Sequence, residues 1–105
     1  MTTVAAIDCG TNSIRLLVAE LDPVGGSLRE VDRRMEIVLL GEGVERTRRL
    51  SEAALARTFA ACETYAQVVR ETGAEQVRFV ATSAMRDVEN RDSFVAGVQD
   101  RLGVE

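Results

Sequence analysis

The sequence predicts an α/β fold on a mixed sheet, with elements in the order βββαβα and the last strand of the pattern missing. Three observations predict it. Three extended segments follow one another around a strong turn signal, as an antiparallel meander does. A helix-period segment then stands between two strand-like runs, the right-handed crossover that places the later strand parallel to an earlier one. Finally, 105 residues with 46% apolar and 29% charged content make one domain that can build a core. A chain this short buries little more than ~60% of its unfolded surface, so it has little stability to spare if an element is lost.

Residues 4–9 form a short apolar run closed by Gly10, which reads as a buried strand. Residues 14–21 are the second strand, with Ile14, Leu16 and Val18 on one face and Leu17, Ala19 and Leu21 on the other. Apolar side chains on both faces predict a covered, central position. Asp22, Pro23, Val24, Gly25 and Gly26 are the turn. In residues 28–40, Val31, Met35, Ile37 and Leu39 alternate with Glu30, Asp32, Arg34 and Glu36, the pattern of an edge strand with one wet face. Residues 41–50 read as a loop. Ser51 then stands as an N-cap for a long helix with Leu55, Phe59, Cys62, Ala66 and Val69 at helical spacing and Gly73 as its stop. Residues 77–81 are a compact buried strand. A turn at Thr82 and Ser83 leads into helical sequence, interrupted near Asn90, with Phe94, Val95, Val98 and Leu102 on one face before Gly103. The outer edge of the 77–81 strand is then left free to pair with another chain, a second copy in a homodimer included.

Thirteen basic residues against 17 acidic ones give a net charge of -4, which does not support whole-molecule attraction to DNA or to an anionic membrane. All of the basic residues are Arg. Without Lys or His, a Walker-type phosphate lysine, a Schiff base, a Ser-His-Asp triad and a histidine zinc site are excluded from this chain. Cys9 and Cys62 lie far apart in apolar segments and read as small buried hydrophobes. No stretch approaches the ~20 apolar residues of a membrane span, and the N-terminus lacks the layout of a signal peptide. The expected compartment is the cytoplasm, with no DNA and no membrane as partner.

Three segments offer chemistry. In the first, Asp8 ends a strand and Gly10, Thr11, Asn12 and Ser13 follow, with Arg15 in the next strand. Gly10 lets the backbone come close to a ligand, while hydroxyls, an amide and N–H groups supply donors that can wrap a phosphate without lysine. Asp8 would repel that phosphate unless a divalent cation or an ordered water lies between them. A plain polar hairpin turn accounts for the same residues. The second segment, residues 81–90, passes from a buried strand into a helix, where free N–H groups favour anions and Arg86 could add a charged hydrogen bond. A Thr/Ser cap with Arg86 paired to Asp87 or Glu89 is the alternative. The third holds Arg46, Arg48 and Arg49, a cluster that steers a polyanion or forms a solvated loop balanced by Glu42 and Glu45.

Asp8 to Ser13 with Arg15, then Gly41, Glu42 and Gly43, then Ala81 to Asp87 (ATSAMRD) occur in an order that resembles the N-terminal region of the exopolyphosphatase and guanosine pentaphosphate phosphohydrolase (Ppx/GppA) family. The resemblance covers essentially the whole chain. It implies an actin-like ATPase (ribonuclease H-like) lobe, which in the family closes with a second lobe on a phosphorylated ligand and Mg2+. It implies release of terminal phosphate from inorganic polyphosphate or guanosine pentaphosphate. It places Gly10, Thr11, Asn12, Ser13 and Arg15 in the first phosphate-binding loop, Ser83 and Arg86 on the phosphate from the other side, and Asp8 at the metal or its water. Two positions depart from the pattern: Leu39 is apolar where a basic residue is expected, and Cys9 stands where an aliphatic residue is usual. The family's general-base glutamate and its second phosphate loop would follow Glu105. Residues 1–105 are therefore expected to be the N-terminal phosphate-binding lobe of a longer two-lobed enzyme, inactive alone and partnered by the remainder of that enzyme. Two other classes stay open: a non-catalytic module binding guanosine tetraphosphate, guanosine pentaphosphate or polyphosphate, and a lobe of an actin-like nucleotide kinase or ATPase.

Overall fold

The computed structural model describes residues 2–81 and 87–103. Its elements are β1 (Thr2–Cys9), β2 (Ser13–Leu21), β3 (Leu28–Ile37), α1 (Val44–Thr47), α2 (Glu52–Thr72), β4 (Gln76–Ala81) and α3 (Arg91–Leu102). One four-stranded sheet has the order β3-β2-β1-β4. β1 pairs antiparallel with β2 and parallel with β4, and β2 pairs antiparallel with β3. The predicted meander and crossover are both present. The single-turn helix α1 is an addition inside the expected 41–50 loop.

Local chemistry sets the element ends. The Asp22 carboxylate accepts from the N–H groups of Val24 and Gly25, and Gly26 takes a φ of 69°, which together turn the chain from β2 into β3. Ser51 has extended backbone angles and its Oγ accepts from the Ala54 N–H at 3.0 Å, the N-cap of α2. Gly73 ends that helix at φ 73°, and the next N–H, of Ala74, reaches back to the Val69 carbonyl. β3 stops at Ile37 rather than running to residue 40, because Leu39 turns to φ 51°.

The core lies between one face of the sheet and the two long helices. Ala5, Ile7 and Cys9 of β1 and Ile14, Leu16 and Val18 of β2 are buried against Ala54, Ala61, Cys62, Tyr65 and Val68 of α2 and Phe94 and Val98 of α3. The seam of α2 is thus rotated from the predicted face: Leu55, Phe59 and Val69 are only partly buried, on the flank of the core. Gly97 of α3 sits so close to Phe59 that a Cβ there would fall 2.2 Å from the ring, and the Arg101 guanidinium covers that ring at 4.3 Å. Phe79 of β4 meets Phe94 edge-on at 6.1 Å.

The opposite sheet face corrects three expectations. β2 is internal as predicted but fully covered on the helix side only: on the other side Ala19 is buried, while Arg15 is exposed and Leu17 half-buried. β4 is an outer strand whose Val80 is 52% exposed, not a buried one. β3 is wet on both faces. Its polar Asp32, Arg34 and Glu36 lie opposite Val18, Leu16 and Ile14 on the helix side, while Met35 and Ile37 stand exposed on the open side. The predicted Val95 contact is also absent, since that side chain is largely exposed.

Tyr65 is the largest fully buried side chain, and its hydroxyl donates to the Ile14 carbonyl at 2.8 Å. Burial pushes its phenol up to about 12, and likewise pushes the free thiols of Cys9 to about 12 and Cys62 to about 11. Tyr65→Phe leaves a buried carbonyl short of a donor and is expected to lower the unfolding free energy by about 1–3 kcal/mol; an unchanged denaturant midpoint would show that the bond contributes nothing. The three raised groups also set a pH dependence. Above their ordinary values the unfolded chain releases protons that the native chain keeps, so stability falls as pH rises from about 9. A urea midpoint that stays level between about pH 8 and pH 11 contradicts this, as does rapid alkylation of either thiol in the folded chain.

Candidate functional site

The β1–β2 hairpin closes on the Cys9–Ile14 pair, and the Gly10 N–H donates to the Ser13 carbonyl at 2.9 Å. Between them Thr11 and Asn12 stand exposed. Their carbonyls are turned inward: Thr11 O accepts from the Gly41 N–H at 2.8 Å, and Asn12 O accepts from the N–H groups of both Val38 and Leu39 at 2.9 and 3.0 Å. A trans peptide points its N–H opposite to its carbonyl, so the Asn12 N–H faces away from the 38–41 segment. Neither it nor the Thr11 N–H has a backbone acceptor among the described residues. Inward acceptors and outward donors suit the loop to an anion.

Gly41 is needed at this contact for its size. A Cβ there would lie 3.1 Å from Thr11 Cβ and 3.5 Å from the Thr11 carbonyl oxygen. The 41–50 loop, read from sequence as either steering a polyanion or a solvated surface, thus supports the first loop through Gly41, and the two together wall a cavity of about 460 Å3. Leu39, 42% exposed, lines it with Thr11, Asn12, Glu42 and Val44. In place of the expected balance within the arginine cluster, Glu42 pairs with Arg57 at 2.8 Å and Arg49 with Glu89 at 3.3 Å.

Asp8 and Arg15 are direct cross-strand partners, both exposed on the open sheet face. Ser13 lies on that face too by strand alternation. No group of three or more Cys, Asp or Glu ligands occurs among the described residues, so Asp8 would offer a cation one carboxylate. That is enough for Mg2+, which commonly takes one or two carboxylates and completes its shell with water and substrate phosphate. The Cys9 thiol beside it is buried with its pKa raised, which removes it as a nucleophile at neutral pH.

Ser83 and Arg86 lie outside the described residues, but the structure fixes where their segment departs and returns. Ala81 at the end of β4 is the partner of Cys9 at the end of β1, so the second segment starts beside Gly10. The carboxyl ends of these two parallel strands thus share one end of the sheet, where open α/β sheets bind ligands. On return, the Glu89 N–H donates to the Arg48 carbonyl, and the Asn90 amide makes two 2.8 Å bonds with the backbone of Leu50, one given and one accepted. Sequence reasoning missed Arg57, Asn90 and the supporting role of Gly41. The first two carry no local signal, since Arg on a helix and Asn before one are ordinary residues there.

Comparison with known proteins agrees with this architecture. Residues 17–105 match the Ppx/GppA phosphatase family. The chain is 52% identical over 105 residues to exopolyphosphatase 2 of Mycobacterium tuberculosis, covering 98% of this chain and 33% of that protein. It is 32% identical over 99 residues to the guanosine-5'-triphosphate,3'-diphosphate pyrophosphatase of Photobacterium profundum, covering 94% of this chain and 20% of that one. The crystal structure of the Aquifex aeolicus Ppx/GppA family member superposes with a TM-score of 0.91 at 33% identity, over 98% of this chain and 33% of its own. The chain therefore spans a third or less of the length of these relatives. With its actin-like lobe, its paired strand ends and its sequence match over residues 17–105, the chain belongs to the Ppx/GppA phosphatase family.

Proposed function

We propose that this chain supplies the first phosphate-binding part of a phosphoanhydride hydrolase that releases terminal phosphate from inorganic polyphosphate, guanosine pentaphosphate or both. The observation that carries the reading is the loop at Gly10, Thr11, Asn12 and Ser13, whose Thr11 and Asn12 carbonyls are held by residues 38–41 while the N–H groups of those same peptides face away from that segment, at the carboxyl ends of β1 and β4. The names of the relatives, an exopolyphosphatase and a guanosine pentaphosphate pyrophosphatase, give the substrate classes.

In this reading the loop N–H groups, the hydroxyls of Thr11 and Ser13, and the Arg15 guanidinium hold phosphate oxygens, with Ser83 and Arg86 completing the hold from the second segment. Asp8 is the protein ligand of Mg2+ or of its water, and the metal, when bound, neutralises phosphate charge. The general base, a glutamate in the family, lies beyond Glu105 in the longer enzyme. The open sheet face supports membership of a larger body. Met35, Ile37 and Val80 are each more than half exposed on that side, an apolar surface of the kind that marks an interaction site. Among the described residues no helix is long and apolar enough to cross a membrane.

A chain extended through the rest of the family's length is expected to release phosphate from polyphosphate or guanosine pentaphosphate with Mg2+, and to stop when the metal is chelated. Inertness on both substrates sinks the hydrolase reading. Tight binding without turnover would instead mark a binding module, and a preference for adenosine nucleotides a kinase-like lobe. In the extended enzyme Arg15→Ala and Arg86→Ala are each expected to lower kcat/KM by the worth of a charged hydrogen bond, about 1.5–3 kcal/mol, or roughly ten- to a hundredfold. An unchanged kcat/KM removes that arginine from the site.

A further inference from the structure

We infer that Arg57, half-buried on the flank of α2, is a positioning residue for the first loop, acting through residues 38–42; the inference rests on the phosphate-binding reading of residues 10–13. Arg57 Nε donates to the Val38 carbonyl at 2.8 Å, and its Nη2 donates to a Glu42 carboxylate oxygen at 2.8 Å, with a longer 3.5 Å contact to the Leu39 carbonyl. One guanidinium thus bridges the two ends of a five-residue segment that belongs to neither strand nor helix. That segment is in turn what holds the loop. Three of its N–H groups, from Val38, Leu39 and Gly41, take up the carbonyls of Asn12 and Thr11. The chain of contacts therefore runs from a 21-residue helix to residues 38–42 and on to the peptide planes of Thr11 and Asn12.

The geometry explains why an arginine is suited to this place. The guanidinium is a planar fork that donates in two directions at once, and here one branch meets backbone and the other a carboxylate. Lysine could satisfy either contact but not hold both with fixed spacing. The segment also needs an external tie, since Leu39 sits at φ 51°, a backbone state that a leucine adopts only when its surroundings hold it there. Without Arg57 the segment would relax and the loop carbonyls would lose their fixed donors. The loop would then sample conformations in which Asn12 and Ser13, whose N–H groups share the held peptide planes, do not present those groups together, and a substrate would have to order it on binding.

That last point gives the test its form. An ordering cost met on binding reduces apparent affinity by the fraction of loops in the competent state and leaves the bound state intact. In the full-length enzyme, Arg57→Ala is expected to raise KM for the phosphate substrate about fivefold with kcat little changed, Arg57→Lys to fall between, and millimolar guanidinium to return the KM of Arg57→Ala toward wild type. A merely structural residue would reduce the amount of active enzyme, lowering apparent kcat and Tm at constant KM. That result overturns the proposal, as does an unchanged KM. Hydrogen exchange gives a readout independent of turnover: in Arg57→Ala the amides of Val38, Leu39 and Gly41 should exchange faster while those in the middle of α2 do not, and equal rates at residues 38–41 overturn the coupling. If wild-type enzyme hydrolyses neither substrate, the functional reading fails by itself, and the exchange rates still decide whether Arg57 orders the loop.

Discussion

The hydrogen bond from the Tyr65 hydroxyl to the Ile14 carbonyl joins the three parts on which everything else rests: α2, the covered face of the sheet, and the hairpin that carries the candidate loop. Ile14 is the first core residue after that loop and pairs with Cys9, the last before it. A buried hydroxyl in contact with this position fixes the hairpin's height above the helix, and the apolar burial around it makes the position unique. Because Tyr65, Ile14 and Cys9 are all fully buried, the loop's base cannot move without opening the core. The exposed Thr11 and Asn12 at the tip are held instead by their bonds to residues 38–41.

The tip is where the electrostatic argument lies. A loop without lysine can hold an anion only if its own acceptors are turned away, and residues 38–41 accomplish this with backbone donors alone. The chain thereby uses one segment, anchored in the core by Val38 and Leu40, to neutralise the wrong end of the loop's peptide dipoles. Among the described residues, two arginines flank this arrangement: Arg15 beside Asp8 on the open face, and Arg57 behind the segment. The chain's acidic balance is then no obstacle, since the field that a phosphate meets is set within a few ångströms.

The antiparallel meander, the crossover, both ends of α2 and the location of the first loop were legible in the sequence, because each rests on short-range patterning: alternation at Ile14, Leu16 and Val18, the Ser51 cap, the Gly73 stop; which earlier strand β4 pairs with was not. What was not legible depended on which side of the sheet the helices take. Leu17 and Met35 look like core residues in one dimension, yet both helices pack on the opposite face. The site was legible as a loop and illegible as a support. Gly41 reads as a flexible residue of a solvated loop, whereas its role is close approach to Thr11. Arg57 and Asn90 act across 19 and 40 residues of sequence, and no local pattern announces such partners.

The Asn90 amide has a consequence for the order in which the lobe assembles. By giving one bond and accepting one from Leu50, it imitates the backbone of a neighbouring strand residue and closes a ring of 40 residues that contains all of α2 and β4. Closing a ring of that size costs on the order of 3 kcal/mol in chain entropy, more than two neutral hydrogen bonds return at about 1 kcal/mol each. The clasp therefore cannot lead folding. It forms only after α2 has docked on β2 and β4 has zipped beside β1, so a folding intermediate would have the first loop in place before Asn90 closes on Leu50.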